Sequence, residues 1–235
     1  MAKKHSEDIF VRIIKSIEGF LINYRKVLII GVSACIVLLA GYLTADSIMD
    51  RRRNLSEDSF GQVYLVYRAV LEDGDRVVET ENDRVADEEL LAVAESFKVV
   101  IEEHGSTLAA AKSGFYIGSI FYDAGTYEEA AEYFRKGYEQ GSRFYTAPLC
   151  LAGEAGCFEQ LERFEEAEAV YRSILADFED SYLIPTVRYS LGQLYEKMDN
   201  TDGARKQYES IMENYEWSTW AQLSEKRVLL LGSST

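Results

Sequence analysis

Three cysteines and two histidines are the residues of this 235-residue chain whose types best suit metal binding or nucleophilic chemistry. Neither His5 nor His104 lies near a cysteine or a pair of carboxylates at the spacing of metal ligands. Cys150 and Cys157 are about two helical turns apart, which is too far for a disulfide bond within one helix. We therefore expect no metal site and no disulfide framework, and we interpret both cysteines as small core residues.

Sequence motifs of the common enzyme classes are the next candidates for chemistry. The chain contains no G-x-S-x-G motif, no Walker-type loop and no dinucleotide-binding glycine motif. The acidic pairs Glu128-Glu129 and Glu165-Glu166 fit the first turns of helices, where carboxylates interact favourably with the helix dipole. The sequence thus predicts a protein that is not an enzyme, with no catalytic residue and no cofactor.

Charge is distributed unevenly along the chain. The whole chain has a net charge of −15, and its first 53 residues have a net charge of +4. The remaining residues therefore carry a net charge of −19. A part this acidic repels phosphate backbones. We therefore expect no nucleic acid among the partners of the larger part.

An uncharged segment near the N-terminus predicts a transmembrane helix. Residues 27–45 contain no charged side chain and would span about 28 Å as a helix. Six Lys/Arg precede the segment and three follow it, which places the N-terminus in the cytoplasm. A buried core helix is the alternative. Leu43 fits poorly with signal-peptide cleavage after Ala45, so we expect the anchor to remain.

Cys35 offers a different kind of anchor. The residues Val32-Ser33-Ala34-Cys35 resemble a bacterial lipobox, in which a lipidated cysteine becomes the first mature residue. The apolar segment, however, continues for eight residues beyond Cys35, where a lipoprotein would have a polar tether.

Ahead of the predicted transmembrane helix, residues 1–26 fit an amphipathic helix that lies on the membrane or docks on a partner.

An internal repeat of 37 residues dominates the rest of the chain. Equivalent positions hold small residues, then aromatic residues, then alanines, then aromatic residues again. The four sets are Gly118, Ala155 and Gly192; Phe121, Phe158 and Tyr195; Ala130, Ala167 and Ala204; Phe134, Tyr171 and Tyr208. Pro148 and Pro185 also lie 37 apart and suit first turns of helices. Such a unit fits a pair of helices that packs closely through its small residues.

One whole unit resembles the tetratricopeptide repeat, through Gly118 and Phe121, Gly125 and Tyr127, and then Ala130, Phe134 and Gly137. In the next two units Glu162 and Asp199 replace the turn glycine. The resemblance covers residues 88–231. The spacing of 37 and the segments ADFEDSYLIP and ENYEWSTWAQ are similar to repeats of bacterial envelope proteins such as BamD.

These features predict an all-α fold, in which a transmembrane helix precedes an α-solenoid of about four tetratricopeptide-like helix pairs and a capping helix. The predicted regions are residues 1–26, an amphipathic segment; 27–45, the transmembrane helix; 46–55, a juxtamembrane linker; and 56–235, an extracytoplasmic repeat domain. Within that domain we expect a loop over residues 73–89 and the cap over residues 218–231. Ser106, Ser181 and Ser218 are candidate helix N-caps.

The combination of amphipathic N-terminus, single span and acidic repeat domain resembles the YfgM family of inner-membrane proteins, as does the segment FLINYRKVLIIGV. That resemblance implies a periplasmic domain that accompanies the Sec translocon and periplasmic chaperones. Two alternatives are an envelope-complex assembly factor lipidated at Cys35 and a structural component of a periplasmic machine. A cytoplasmic repeat domain is a further alternative.

A solenoid of helix pairs binds protein segments on its concave face, which the first helix of each pair lines. We call the residues expected there the predicted groove. They are Phe115, Ser119, Tyr122, Glu159, Tyr189, Gln193 and Glu196, with Ala152 between them. In the alternative interpretation the aromatic residues pack between helices and the two glutamates are simply solvated.

Overall fold

A computed structural model describes residues 2–74 and 83–233 of the chain, and this described part consists of nine α-helices without a strand. The predicted all-α class is confirmed. The helices are α1 (Ala2–Gly74), α2 (Asp83–His104), α3 (Leu108–Asp123), α4 (Tyr127–Gly141), α5 (Ala147–Gln160), α6 (Phe164–Asp177), α7 (Ile184–Lys197), α8 (Thr201–Asn214) and α9 (Thr219–Ser233).

The chain divides into two compact units, residues 1–52 and 53–235. Among the described helices, α1 alone is long and apolar enough to cross a membrane, over Tyr24–Glu72. The described side chains of residues 27–45 are exposed, which disagrees with the alternative of a buried core helix. The apolar face predicted for residues 1–26 depends mainly on side chains outside the described part. The predicted linker over 46–55 is helical.

The second unit is a stack of helix pairs. Neighbouring helices pack against each other from α2 to α9, and α3 contacts α5 as α7 contacts α9. Contacts between alternate helices place the first helices of successive pairs side by side, as in a solenoid. The predicted pairs α3–α4, α5–α6 and α7–α8 and the cap α9 are therefore present. We call α3, α5 and α7 the first helices, and α4, α6 and α8 the second helices.

The first pair joins the stack through aromatic side chains. Phe60 and Tyr64 of α1 lie with their ring centres 5.8 and 5.3 Å from the ring of Tyr116 in α3. Phe60 also lies 5.7 Å from Phe97 of α2. At the edge of this cluster Lys112 Nζ is 2.9 Å from a carboxylate oxygen of Glu57. Residues 53–74 of α1 thus serve as the first helix of the first pair.

Small residues permit the close approach of helices within each pair. A Cβ atom added to Gly118 would lie 2.7 Å from the ring of Phe134, and one added to Gly192 would lie 2.5 Å from the ring of Tyr208. Alanines 130, 167 and 204 are fully buried. Pro148 and Pro185 occupy first turns of α5 and α7, as predicted.

Turn geometry is conserved within the repeat even where glycine is absent. Gly125 has a φ of +77°, and its equivalents Glu162 and Asp199 have φ of +57° and +56°. The left-handed conformation costs a non-glycine residue roughly 1–2 kcal/mol, because Cβ crowds the following carbonyl. The packing of the flanking helices therefore imposes this conformation against local preference.

Three local predictions need correction. The cap of α3 is Thr107, whose side chain accepts from the Ala110 N–H, whereas the predicted Ser106 has a positive φ. Ser181 caps only the preceding turn, because α7 begins at Ile184. Ser218 does cap α9, as predicted. The predicted loop over 73–89 is too long, since α2 begins at Asp83; residues 75–82 lie outside the described part.

Candidate partner-binding groove

The first helices carry all seven residues of the predicted groove. Six of them are half-buried, and Gln193 is exposed. On the same helices Ile117, Leu151 and Leu191 are buried and form part of the core. The predicted residues therefore lie on the partly exposed side of each first helix, between core and solvent. Their role in binding stays a prediction.

At the start of this surface, α3 contributes Phe115 and Ser119. The ring of Phe115 lies 5.7 Å from that of Phe134 in α4 and 5.6 Å from that of Tyr116. Ser119 Oγ donates to the Phe115 carbonyl at 3.0 Å. Phe115 thus packs within its own helix pair, and only part of its ring is available to a ligand.

Tyr122 lies at the C-terminal end of α3 and connects two repeats. Its hydroxyl accepts from Gln160 Nε2 of α5 at 3.2 Å. Its ring meets Tyr127 edge-on at 5.3 Å. Burial raises the pKa of the Tyr122 phenol, so the hydroxyl stays protonated and can still donate to a partner.

Glu159 and Glu196 are both paired within the repeat domain, which corrects the alternative interpretation that these two glutamates are simply solvated. Glu159 accepts from Tyr171 Oη at 2.7 Å and from Lys197 Nζ at 2.8 Å. Glu196 accepts from Tyr208 Oη at 2.5 Å and forms an ion pair with Arg227. Each carboxylate already has a tyrosine and a cation as partners.

The tyrosines of these pairs are held in their neutral form. Burial raises the pKa of Tyr171 and Tyr208, and the adjacent carboxylate raises it further. Tyr171 and Tyr208 are 37 residues apart, like the glutamates that they contact. In the preceding repeat, Phe134 stands at the position of the tyrosine and Tyr122 at the position of the glutamate. The repeat that lacks the carboxylate therefore also lacks the hydroxyl that would donate to it.

A second series of contacts connects successive first helices. The partners Tyr122 and Gln160, and then Glu159 and Lys197, each lie 38 positions apart. Gln160 and Lys197 are themselves equivalent positions of the repeat. Sequence reasoning missed both residues, although their spacing of 37 was a signal that could have identified them.

At the end of the groove, Tyr189 of α7 packs against two other rings. Its ring centre lies 5.5 Å from that of Tyr208 in α8 and 5.2 Å from that of Trp220 in α9. Trp220 is therefore a neighbour of the groove that the sequence analysis did not name. Gln193, one turn later, is the most exposed position of the predicted set.

Helix α5 also carries two cysteines and a carboxylate that are buried, Cys150, Cys157 and Glu154. No group of three or more potential metal ligands occurs in the part of the chain that was described. Cys150 and Cys157 are buried, as predicted, and burial raises the pKa of each thiol to about 12, so neither is a nucleophile at neutral pH. Glu154 is buried beside Arg135, whose guanidinium is 2.8 Å away.

Comparison with known proteins agrees with this geometry. The family model described as tetratricopeptide repeat matches residues 186–216, which cover most of α7 and all of α8. A "TPR repeat-containing protein" of Treponema pallidum (strain Nichols) is 25% identical over 148 residues, which are 63% of this chain and 61% of that protein.

Among solved structures, the chain resembles a tetratricopeptide repeat protein from Parabacteroides merdae ATCC 43184. The TM-score is 0.51 at 19% identity, and the match covers 72% of this chain and 61% of the other. The chain thus spans about six-tenths of the length of either relative. The structural likeness establishes the fold alone. Tetratricopeptide repeats, in turn, imply a scaffold for interactions between proteins.

Proposed function

We propose that this chain is a non-enzymatic, membrane-anchored scaffold that binds protein partners through the predicted groove. The seven groove residues, six of them half-buried and Gln193 exposed, lie on the equivalent first helices α3, α5 and α7, and this accessibility carries the proposal. Because Glu159 and Glu196 are already paired with Lys197 and Arg227, the groove offers aromatic rings and neutral polar groups. Its preferred ligand is therefore an uncharged, partly apolar segment of a partner.

The anchor and the location complete the proposal. Residues 27–45 hold the chain in the bacterial inner membrane, with the N-terminus in the cytoplasm and the repeats in the periplasm. The partners are components of protein secretion or periplasmic chaperoning. Support comes from the exposed apolar side chains of α1 and from the six Lys/Arg ahead of the segment against three behind it.

Capture of partners from the native membrane tests the binding function. The full-length chain is purified in mild detergent, and accompanying proteins are identified by mass spectrometry. We expect translocon subunits or periplasmic chaperones with the wild type and their loss with Gln193→Arg, which places a charge in the groove at an exposed position.

The matched control is Glu209→Arg, an exposed position on the second helix α8 whose charge changes even more. Equal loss of partners in both variants would show that net charge, and not the groove, controls binding. Recovery of outer-membrane assembly proteins would instead favour the alternative of an envelope assembly factor.

Topology is tested with a maleimide reagent that does not cross the inner membrane. A cysteine placed at Glu165, an exposed position of α6, should react in intact spheroplasts, and one placed at Ser6 should not. Cys150 and Cys157 are buried and give no background in the folded chain. The reverse pattern would locate the repeats in the cytoplasm. Intact mass separates the lipidated alternative, since a lipidated Cys35 requires loss of residues 1–34.

A further inference from the structure

Two loops between repeats line an open cleft that does not include any residue of the predicted groove. The loop between α4 and α5 and the loop between α6 and α7 line a space of about 640 Å³. We call it the loop-edge cavity. It is large enough to hold several side chains of an extended peptide.

Exposed aromatic rings form part of its wall. Tyr145 is 60% exposed and Tyr182 is 70% exposed, and the two residues are 37 positions apart. The repeat thus presents equivalent rings on neighbouring loops. Tyrosine is enriched at protein interfaces, because its ring is apolar and its hydroxyl can form a hydrogen bond with a partner. Phe144 and Phe178 line the same space.

The charge of the wall is predominantly negative. Asp177, Glu179 and Asp180 all line the cavity and are exposed. Within the described ranges none of these three carboxylates has a cationic partner within 4.0 Å, unlike the acids of the groove. The one cationic side chain of the lining is Arg143, whose guanidinium lies 5.0 Å from the ring centre of Phe144.

We propose that the loop-edge cavity binds a cationic segment of a partner protein, with arginine or lysine side chains between the tyrosine rings and the carboxylates. Three unpaired carboxylates attract such side chains, and the faces of tyrosine rings stabilise them by cation–π contacts. Arg143, whose guanidinium lies 5.0 Å from the ring centre of Phe144, gives an example of such a cation–π contact on this wall. This site is separate from the groove and takes a ligand of different charge.

Fluorescence anisotropy with a defined probe tests the proposal. The full-length chain in neutral detergent is titrated into a fluorescein-labelled peptide of alternating arginine and leucine, with a glutamate–leucine peptide for comparison. We expect binding of the arginine peptide alone, and weaker binding as salt is added. Preference for the glutamate peptide would overturn the proposal.

Substitutions locate the binding. The double variant Tyr145→Ala with Tyr182→Ala should weaken binding by roughly fivefold or more. Asp177→Asn with Asp180→Asn should weaken it by roughly threefold to tenfold. All four side chains are exposed, so the helical content should not change.

Two further variants make the test specific. Glu132→Gln with Glu209→Gln removes the same charge from exposed positions of the second helices and should leave the affinity unchanged. Arg143→Ala should tighten binding, because it removes a like charge from the cavity and frees the face of Phe144. Equal weakening in the control, or weaker binding with Arg143→Ala, would refute the loop-edge cavity as a cation site. Either result would leave the groove proposal untouched.

Discussion

Gly192→Ala should destabilise the repeat unit, although alanine favours a helix more than glycine does. The added Cβ would lie 2.5 Å from Tyr208 Cε1 and 2.7 Å from Cζ. Tyr208 is fully buried and its hydroxyl is bonded to Glu196 at 2.5 Å, so the ring has little freedom to move aside. The clash must be relieved by separation of α7 and α8.

A second glycine, Gly156, provides a reference for the change in stability expected from Gly192→Ala. A Cβ added at Gly156 of α5 has its nearest neighbour, Tyr122 Cε2, at 3.8 Å, an ordinary contact. Gly156→Ala therefore gives the gain in helix propensity, about 1 kcal/mol, without the clash. Gly192→Ala has the same gain in helix propensity. The difference in unfolding free energy between the two variants therefore isolates the energy of overpacking, which is about 3 kcal/mol at the upper end of its usual range.

Thermal unfolding of the full-length variants, followed by far-ultraviolet circular dichroism, measures this difference. For a domain of this size it corresponds to a gap of roughly 6–12 °C between the two melting temperatures. Gly156→Ala should melt above the wild type and Gly192→Ala below it. If Gly192→Ala had the same melting temperature as Gly156→Ala, the close packing of α7 on α8 would be refuted, and with it the repeat register.

Three further predictions concern single positions. Glu162→Gly should raise the unfolding free energy by up to about 1 kcal/mol, because glycine adopts the left-handed conformation of that turn without strain; a lower melting temperature would contradict this reasoning. Lys197→Met should destabilise the fold by roughly 1 kcal/mol, since it leaves the half-buried Glu159 without its cation; a double-mutant cycle with Glu159→Gln should show coupling, and strict additivity would argue against the pair. The thiols of Cys150 and Cys157, whose pKa burial raises to about 12, should react with a thiol reagent only as fast as the chain unfolds. Because the folded pKa of both thiols is raised, their contribution to the stability of the folded state is fully present below pH 9.0 and is lost as the pH rises toward about 12. Since Cys35 is exposed, the labelled positions are located by peptide mass spectrometry, and rapid labelling of Cys150 or Cys157 in the folded chain at neutral pH would contradict their burial.

The helix pairs could be predicted from the sequence because the same packing contacts restrict the residue types at equivalent positions of each repeat. Gly118 and Gly192 lie at equivalent positions where a Cβ would collide with a ring, and the middle repeat holds the small Ala155 there, so the spacing of 37 carried three-dimensional information. The start of α2 was missed for the opposite reason. Residues 83–89 are mostly charged and polar and have no apolar period, so nothing in the local pattern distinguished a helix from a loop.

The exposure of the predicted groove residues could be predicted from the sequence, whereas their contacts could not. Partial exposure of Tyr122, Tyr189 and Gln193 follows from the repeat register. The cationic partners of Glu159 and Glu196 belong to the next first helix and to α9, so neither cation lies within a helical turn of its acid. Ion pairs between repeats depend on how the helix pairs stack on each other, and the pattern of a single helix does not indicate that arrangement.

Both tryptophans of the chain lie at its C-terminal end, and this has an optical consequence. Trp217 is 92% exposed, whereas Trp220 packs beside Tyr189. Intrinsic fluorescence therefore reports on the last repeat, while far-ultraviolet dichroism averages over every helix. Since each repeat of a solenoid contacts only its neighbours, the end of the stack can fray before its centre. A shift of the fluorescence maximum at a lower temperature than the loss of ellipticity would reveal that fraying without any label.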